Sequence, residues 1–301
     1  MDQGLTSWND GRAKDAIVAF VSDSATEGTS EYIPEPDRIA TFDNDGTLWC
    51  EQPAPVQTGL LLAKLIEQVK ADPGLAAEDP YRAIVDRDPV VLGALARQEP
   101  DAVLAFLKGI GKAWEGATPE AYEAEVRAFL EASRHERFGV PFTDLVYVPM
   151  LELLDYLRAH GWRVYICSGG GRDFMRVFSE ETFGIPRENV IGSAPEWGYE
   201  DGSLVRRNEL HGNLALGPGK PEHIYARTGR LPQFAAGNGD VDVEMLEVAR
   251  FRLVIVHDDA EREYATTAAA QRLLEVADDE DWIRVSMKND WKTVFREGVD
   301  E

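Results

Sequence analysis

The stretch Arg38-Ile39-Ala40-Thr41-Phe42-Asp43-Asn44-Asp45-Gly46-Thr47 carries most of the information in this chain. Its first half is apolar and short, which predicts a buried strand over residues 38–42. That strand delivers Asp43 at its end. Asp45 lies two positions on and points to the opposite side of an extended chain. Gly46 permits a tight turn directly beyond.

The same arrangement recurs along the chain. A strand predicted over 162–167 is followed by Ser168, Gly169, Gly170 and Gly171, and one over 233–236 by Gly237, Asn238, Gly239, Asp240 and Asp242. Between them lies Gly217-Pro218-Gly219-Lys220. Further strands are expected at 190–193 and 253–257, and Asp201-Gly202 marks a hairpin near 196–211. Helices are expected at 9–21, 144–160, 172–183, 242–250 and 261–276. Alternating strands and helices imply an α/β fold, a Rossmann-like doubly wound parallel sheet with helices on both faces. In such sheets the carboxyl ends of the strands converge on one crevice.

Residues 50–142 have a different texture. Helical windows at 57–69, 81–107 (interrupted) and 119–137 occur there without a convincing strand. A stretch that long is not a structureless loop in a compact domain. We therefore expect an inserted α-helical cap subdomain at 50–142, with 1–49 and 143–301 forming a discontinuous core.

Composition bounds the partners. The chain has 301 residues, 31 basic and 54 acidic, for a formal charge of −23. Such a surface repels nucleic acid and anionic membranes at long range, so neither is an expected partner. Oligomeric state is not legible. Two cysteines, Cys50 and Cys167, do not make a disulfide framework and read as buried small hydrophobes. No apolar run is long enough to span a bilayer. The first residues lack the pattern of a secretory signal, which points to the cytoplasm, although a leader removed beforehand would leave the same picture.

The residues beyond the strands suit phosphoryl transfer. Mg2+ takes hard oxygen ligands from one or two carboxylates, water and phosphate. Beside it, Asp43 is placed to attack phosphorus, and Asp45 to act as general acid and then base. Ser168 and the amides beginning at Gly169 are placed to cradle phosphate oxygens, and Lys220 to balance charge in the transition state.

The order Asp-x-Asp-Gly-Thr, Ser-Gly, Lys and a glycine-flanked acidic run resembles the haloacid dehalogenase superfamily. The helical insertion after the first motif is similar to the cap of its phosphoserine phosphatase-like branch. The resemblance implies a Mg2+-dependent phosphatase acting on a small phosphorylated metabolite. In it Asp43 is nucleophile and metal ligand, and Asp45 is acid/base and binds metal through its carbonyl. Thr47, Ser168, Gly169 and Lys220 would bind phosphate. Dehalogenase members lack an acid at the Asp45 position, because a halide leaves without a proton. A phosphomutase, or an inactive binding protein of the same fold, remains the alternative.

The last motif departs from the family's Gly-Asp-x-x-x-Asp. Asn238 stands where an aspartate ligates metal; Asn238 and Asp242, the latter in its usual supporting place, are expected to complete the metal site with Asp43 and Asp45, with Asp240 as an alternative ligand. Glu51 is a candidate substrate contact at the mouth of the cap. Arg82, Arg87 and Arg97 are candidates for an anionic group on the substrate, His257 reads as structural, and Trp49 as packing that also reaches the cap crevice.

Overall fold

Residues 4–96, 99–296 and 298–299 are described by a computed structural model. Arg97 therefore lies outside the described residues. Among the described residues there are eight strands: β1 (Ile39–Phe42), β2 (Arg163–Gly171), β3 (Val190–Ser193), β4 (Pro195–Glu200), β5 (Ser203–Leu210), β6 (Phe234–Gly237), β7 (Phe251–Val256) and β8 (Ile283–Ser286). Six form one parallel sheet in the order β3-β2-β1-β6-β7-β8, and β4 and β5 pair separately as an antiparallel hairpin. Strand β8, with the pattern Ile-Arg-Val-Ser, is an edge strand that the sequence reading missed.

Thirteen helical segments accompany them among the described residues. They are α1 (Arg12–Ala25), α2 (Val56–Ala71), α3 (Tyr81–Val85), α4 (Pro89–Ala96), α5 (Pro100–Gly111), α6 (Pro119–Ala132), α7 (Val148–Ala159), α8 (Arg172–Met175), α9 (Ser179–Phe183), α10 (Gly219–Thr228), α11 (Val243–Glu247), α12 (Gln271–Asp279) and α13 (Met287–Asp290). From α2 to α6 the described residues contain no strand.

The sheet is apolar on both faces because its strands are. Ala40, Phe42, Val164, Ile166, Phe234, Ala236, Leu253 and Ile255 pack into one buried layer with Ile17 and Val21 of α1 and Leu153 and Leu157 of α7. Their neighbours Ile39, Tyr165, Cys167, Ala235 and Val254 face the other way, onto Ile224 of α10, Leu246 of α11 and Leu273 of α12. This two-sided burial is why the strands read as continuous apolar runs. Phe234 stacks on Phe251 with ring centroids 4.9 Å apart, and Phe20 of α1 stacks on Phe251 at 4.8 Å. Each such pair is worth about 0.5–1.5 kcal/mol beyond its buried area.

Helix boundaries follow local chemistry. Thr118 caps α6, its Oγ1 accepting from Ala121 N at 3.2 Å, with Pro119 in the first turn. Gly161, at φ 76°, turns the chain after α7. The helix expected over 172–183 is broken into α8 and α9. The helix expected over 261–276 starts only at Gln271. Two side chains hold the preceding turn out of helix. Glu263 is drawn into a buried network, and Arg262 spans to the carbonyls of Trp291 (3.1 Å) and Met287 (2.7 Å). Among the described residues no helix is long and apolar enough to cross a membrane.

Candidate active site

Parallel register aligns the strand ends. Phe42 pairs with Ile166 of β2 and with Ala236 of β6, and Ala236 with Leu253 of β7. Asp43, Ser168, Asn238 and His257 therefore emerge at one edge of the sheet. Asp43 N donates to Ala236 O at 2.9 Å, which continues the ladder one residue past the strand.

Lys220 lies beneath this edge with no exposed surface. Its Nζ donates to Asp43 Oδ1 at 2.7 Å, to Cys167 O at 3.0 Å and to Asp242 Oδ1. All three donors of the ammonium are thus used, as burying a charge requires. Burial works to lower the Lys220 pKa, but Asp242 and Asp43 outweigh it, so the group is held protonated. Asp242 is committed on both oxygens, since its Oδ2 accepts from Asn238 N and Gly239 N, each at 3.0 Å. It sits behind the site and fixes the lysine and the loop.

The turn after Asp43 is tied down from several directions. Gly46 has φ 76°, and a Cβ there would lie 2.1 Å from Asn238 Nδ2, so only glycine fits. Thr47 is fully buried and donates through Oγ1 to Asn238 Oδ1 at 2.9 Å. It binds the loop and does not line the cavity described below. Asp45 Oδ1 accepts from Trp49 Nε1 at 2.7 Å. Trp49 itself is wholly buried and stacks on Phe178 at 4.5 Å, so it supports Asp45 from behind and does not line the crevice.

Behind the turn, His257 faces two oxygen acceptors: Nε2 lies 2.8 Å from Gly46 O and Nδ1 lies 3.1 Å from Glu263 Oε2. The first contact requires a donor, which places a proton on Nε2. Glu263 also accepts from Cys50 Sγ at 3.1 Å and Tyr147 OH at 3.2 Å. Burial would raise the Glu263 pKa, but the bonded imidazole lowers it below the ordinary value. The His257 pKa is raised by the same bond against the opposing effect of burial. Both cysteines are buried, and burial pushes the Cys167 thiol up to about 12.

A cavity of about 570 Å³ opens above the strand ends. Asp43, Asp45, Glu51, Ser168, Gly169, Gly170, Gly171, Asn238 and His257 line it. Gly170 N donates to Ser168 Oγ at 3.3 Å, and Gly171 N to Gln57 Oε1 at 2.7 Å, so Gln57 of α2 reaches down to the glycine turn. Asn238 Nδ2 donates to Glu51 Oε1 at 3.3 Å. Burial pushes the Glu51 carboxyl up to about 8, with Asp45 and Asp43 adding to it against the opposing effect of His257. Asp45 is raised by burial, and Asp43 by burial and Asp242 against Lys220.

Other candidates fall elsewhere. Asp240 Oδ1 accepts from Leu273 N at 2.9 Å, serving the first turn of α12, because its position after Gly239 points it toward that helix. Arg82 and Arg87 are exposed, and Arg82 pairs with Asp79 at 2.6 Å. Neither lines the cavity, whereas Arg206 and Arg207 of β5 do. The hairpin was legible, but nothing local shows that it folds back under α5 and α6, where Gly116 N donates to Arg206 O at 2.8 Å.

The donor set suits a hard divalent cation. Asp43, Asp45 and Asp242 surround one lysine and Glu51 stands beside Asp43 and Asp45, an excess of negative charge that a cation would relieve. Among the described residues no group of three or more His, Cys, Asp or Glu side chains is arranged to hold a metal ion by itself. Mg2+ needs none, since it draws on one or two carboxylates, carbonyl oxygens, water and substrate phosphate.

Residues 40–247 match the family model of haloacid dehalogenase-like hydrolases, and the chain belongs to that family. No curated protein matches the sequence. Among solved structures, a conserved protein of unknown function from Anaerococcus prevotii DSM 20548 is similar over 100% of this chain and 100% of that one, at 15% identity and TM-score 0.62. A protein of unknown function from Bordetella pertussis Tohama I is similar over 83% of this chain and 98% of its own, at 17% identity and TM-score 0.53. These likenesses show the fold.

Proposed function

We propose that this hydrolase is a Mg2+-dependent phosphatase that cleaves a small phosphomonoester through an aspartyl-phosphate on Asp43. The observation that carries the reading is the placement of Asp43. It sits at the end of β1, 2.7 Å from a buried lysine, on the floor of a cavity it shares with Asp45 and the Ser168–Gly171 turn. Residues 1–49 and 143–301 are taken as the core and 50–142 as the cap, whose helices roof that cavity.

The chemistry follows from the placement. Ser168 Oγ and the Gly169 amide hold the phosphate oxygens, and Lys220 offsets charge on the side of Asp43. The Asp43 carboxylate attacks phosphorus and the P–O bond to the alcohol breaks. Asp45, which lines the cavity beside Asp43, gives a proton to the leaving oxygen. Asp45 then takes a proton from water as that water displaces Asp43, releasing inorganic phosphate. Asp43, the Asp45 carbonyl and Asn238 would hold Mg2+, with Glu51 bringing the carboxylate that Asn238 lacks. The ion supplies positive charge that keeps Asp43 ionised and neutralises the phosphate.

Asn238 is the observation that favours a second reading, an inactive binding protein. Incubation with a labelled phosphomonoester and Mg2+ separates the two. The phosphatase reading expects turnover and acid-stable label on wild type, with Asp43→Asn losing roughly 10⁴-fold or more in rate and all label. Label retained in the variant overturns Asp43 as nucleophile.

A further inference from the structure

The roof of the cavity is of another character from its floor. Leu61 of α2, Ile84 of α3, Leu92 and Leu95 of α4, and Leu104 and Leu107 of α5 all line it. None of the six is fully buried, and Leu92 is 38% exposed. Six apolar positions on a helical insert would ordinarily turn such side chains wholly into a core. Leu61, Ile84 and Leu95 pack partly against the core, yet all six also present surface to the cavity that Asp43 and Asp45 line.

The polar groups on that side, Lys108 at the end of α5 and Arg206, Arg207, Asn208 and Glu209 of β5, stand apart from the leucines of α2 to α4. Arg206 lies over the Tyr122 ring at 4.7 Å and the Trp114 ring at 5.7 Å, and Arg207 is paired with Glu200. An ammonium or carboxylate on the leaving alcohol would exchange water for leucine, at a cost of kilocalories. An aliphatic or aromatic group would gain by the same exchange. A cavity of about 570 Å³ is in the range that encloses drug-sized ligands.

Resting on the phosphatase reading, we infer that the substrate is a phosphomonoester of an alcohol with an extended apolar body, which the roof of α2 to α5 takes up. The phosphate lies on the floor at Asp43. Hydrolysis breaks the P–O bond, the alkoxide oxygen takes its proton from Asp45, and water supplies the oxygen of the released phosphate. A small polar ester such as an amino-acid phosphate would leave the leucines facing water.

A series of n-alkyl phosphates from ethyl to octyl tests this, because leaving-group basicity hardly changes along it and only the apolar body grows. With Mg2+, kcat/KM of the wild type should rise about threefold to fourfold per added methylene until the cavity is filled. Leu92→Glu and Leu104→Glu should each flatten that slope, lowering the octyl-to-ethyl ratio at least tenfold. Leu92 is exposed, so its variant carries little folding burden. Calorimetric titration of Asp43→Asn with the same series should show Kd falling with chain length and a negative heat-capacity change. Flat profiles in both turnover and binding, or preference for phosphoserine over hexyl phosphate, would overturn the inference and leave the phosphatase reading standing. Chain-length-dependent binding without turnover of any ester would do the reverse.

Discussion

Asp43 and Asp45 are two residues apart, yet their surroundings give them different duties. Asp43 is held by Lys220, while Asp45 is held by the Trp49 indole, at 2.7 Å in both cases. A carboxylate with an ammonium partner is fitted to be a nucleophile. One held by a neutral indole N–H, with no ammonium bonded to it, is fitted to pass a proton to and from substrate. Replacing Asp45 with Asn should slow alkyl phosphates by roughly 10²–10⁴-fold and aryl phosphates far less, since a phenolate leaves without protonation. Steady-state kcat for matched alkyl and aryl esters checks this. Equal losses would show that Asp45 acts only through its carbonyl or the turn it anchors.

The turn between β1 and α2 is held by residues distant in sequence. His257, just beyond β7, bonds Gly46 O and passes the load to Glu263, Tyr147 and Cys50. Glu51 is the other charged group facing the imidazole. The sign of the pH dependence follows from the two shifts. His257 is raised above its ordinary 6.5, so its contribution is full below that value and is lost as pH rises through the folded pKa. Glu263 is lowered below 4.5, so its contribution is present above that value and is lost as pH falls through the folded pKa. The pair should therefore stabilise most between these values and less on either side. Denaturant midpoints against pH should show the alkaline decline in wild type and not in Glu263→Gln. Glu263→Ala should cost ~3–5 kcal/mol by stranding a buried imidazole.

At the level of the folded chain, a protein of charge −23 places Asp43, Asp45 and Glu51 together at the place where it would receive a phosphate dianion. A bound divalent cation reverses the local sign. Mg2+ at a hundred times its Kd should add about 2.7 kcal/mol of stability. Scanning calorimetry of chelator-treated protein should show the melting temperature rising by several degrees on adding Mg2+. Glu51→Gln should reduce that shift. No shift with Mg2+ would sink the cation site.

Strand ends and their order were legible because backbone sterics and two-sided burial write them locally. Apolar runs of four to six residues are followed by glycine and acid, and Phe42-Asp43 and Cys167-Ser168 show it plainly. The family's motif order did the rest for Lys220. The tasks of the individual oxygens were not legible. Asp240 and Asp242 read alike in sequence, yet one serves α12 and the other holds Lys220. Thr47 is spent on Asn238, and Arg206 enters the cavity from a hairpin about 160 residues after the nucleophile. Alternation and spacing are local properties that any stretch of chain displays. Which lone pair meets which donor depends on how distant segments pack, and packing alone turned the leucines of the insert toward Asp43.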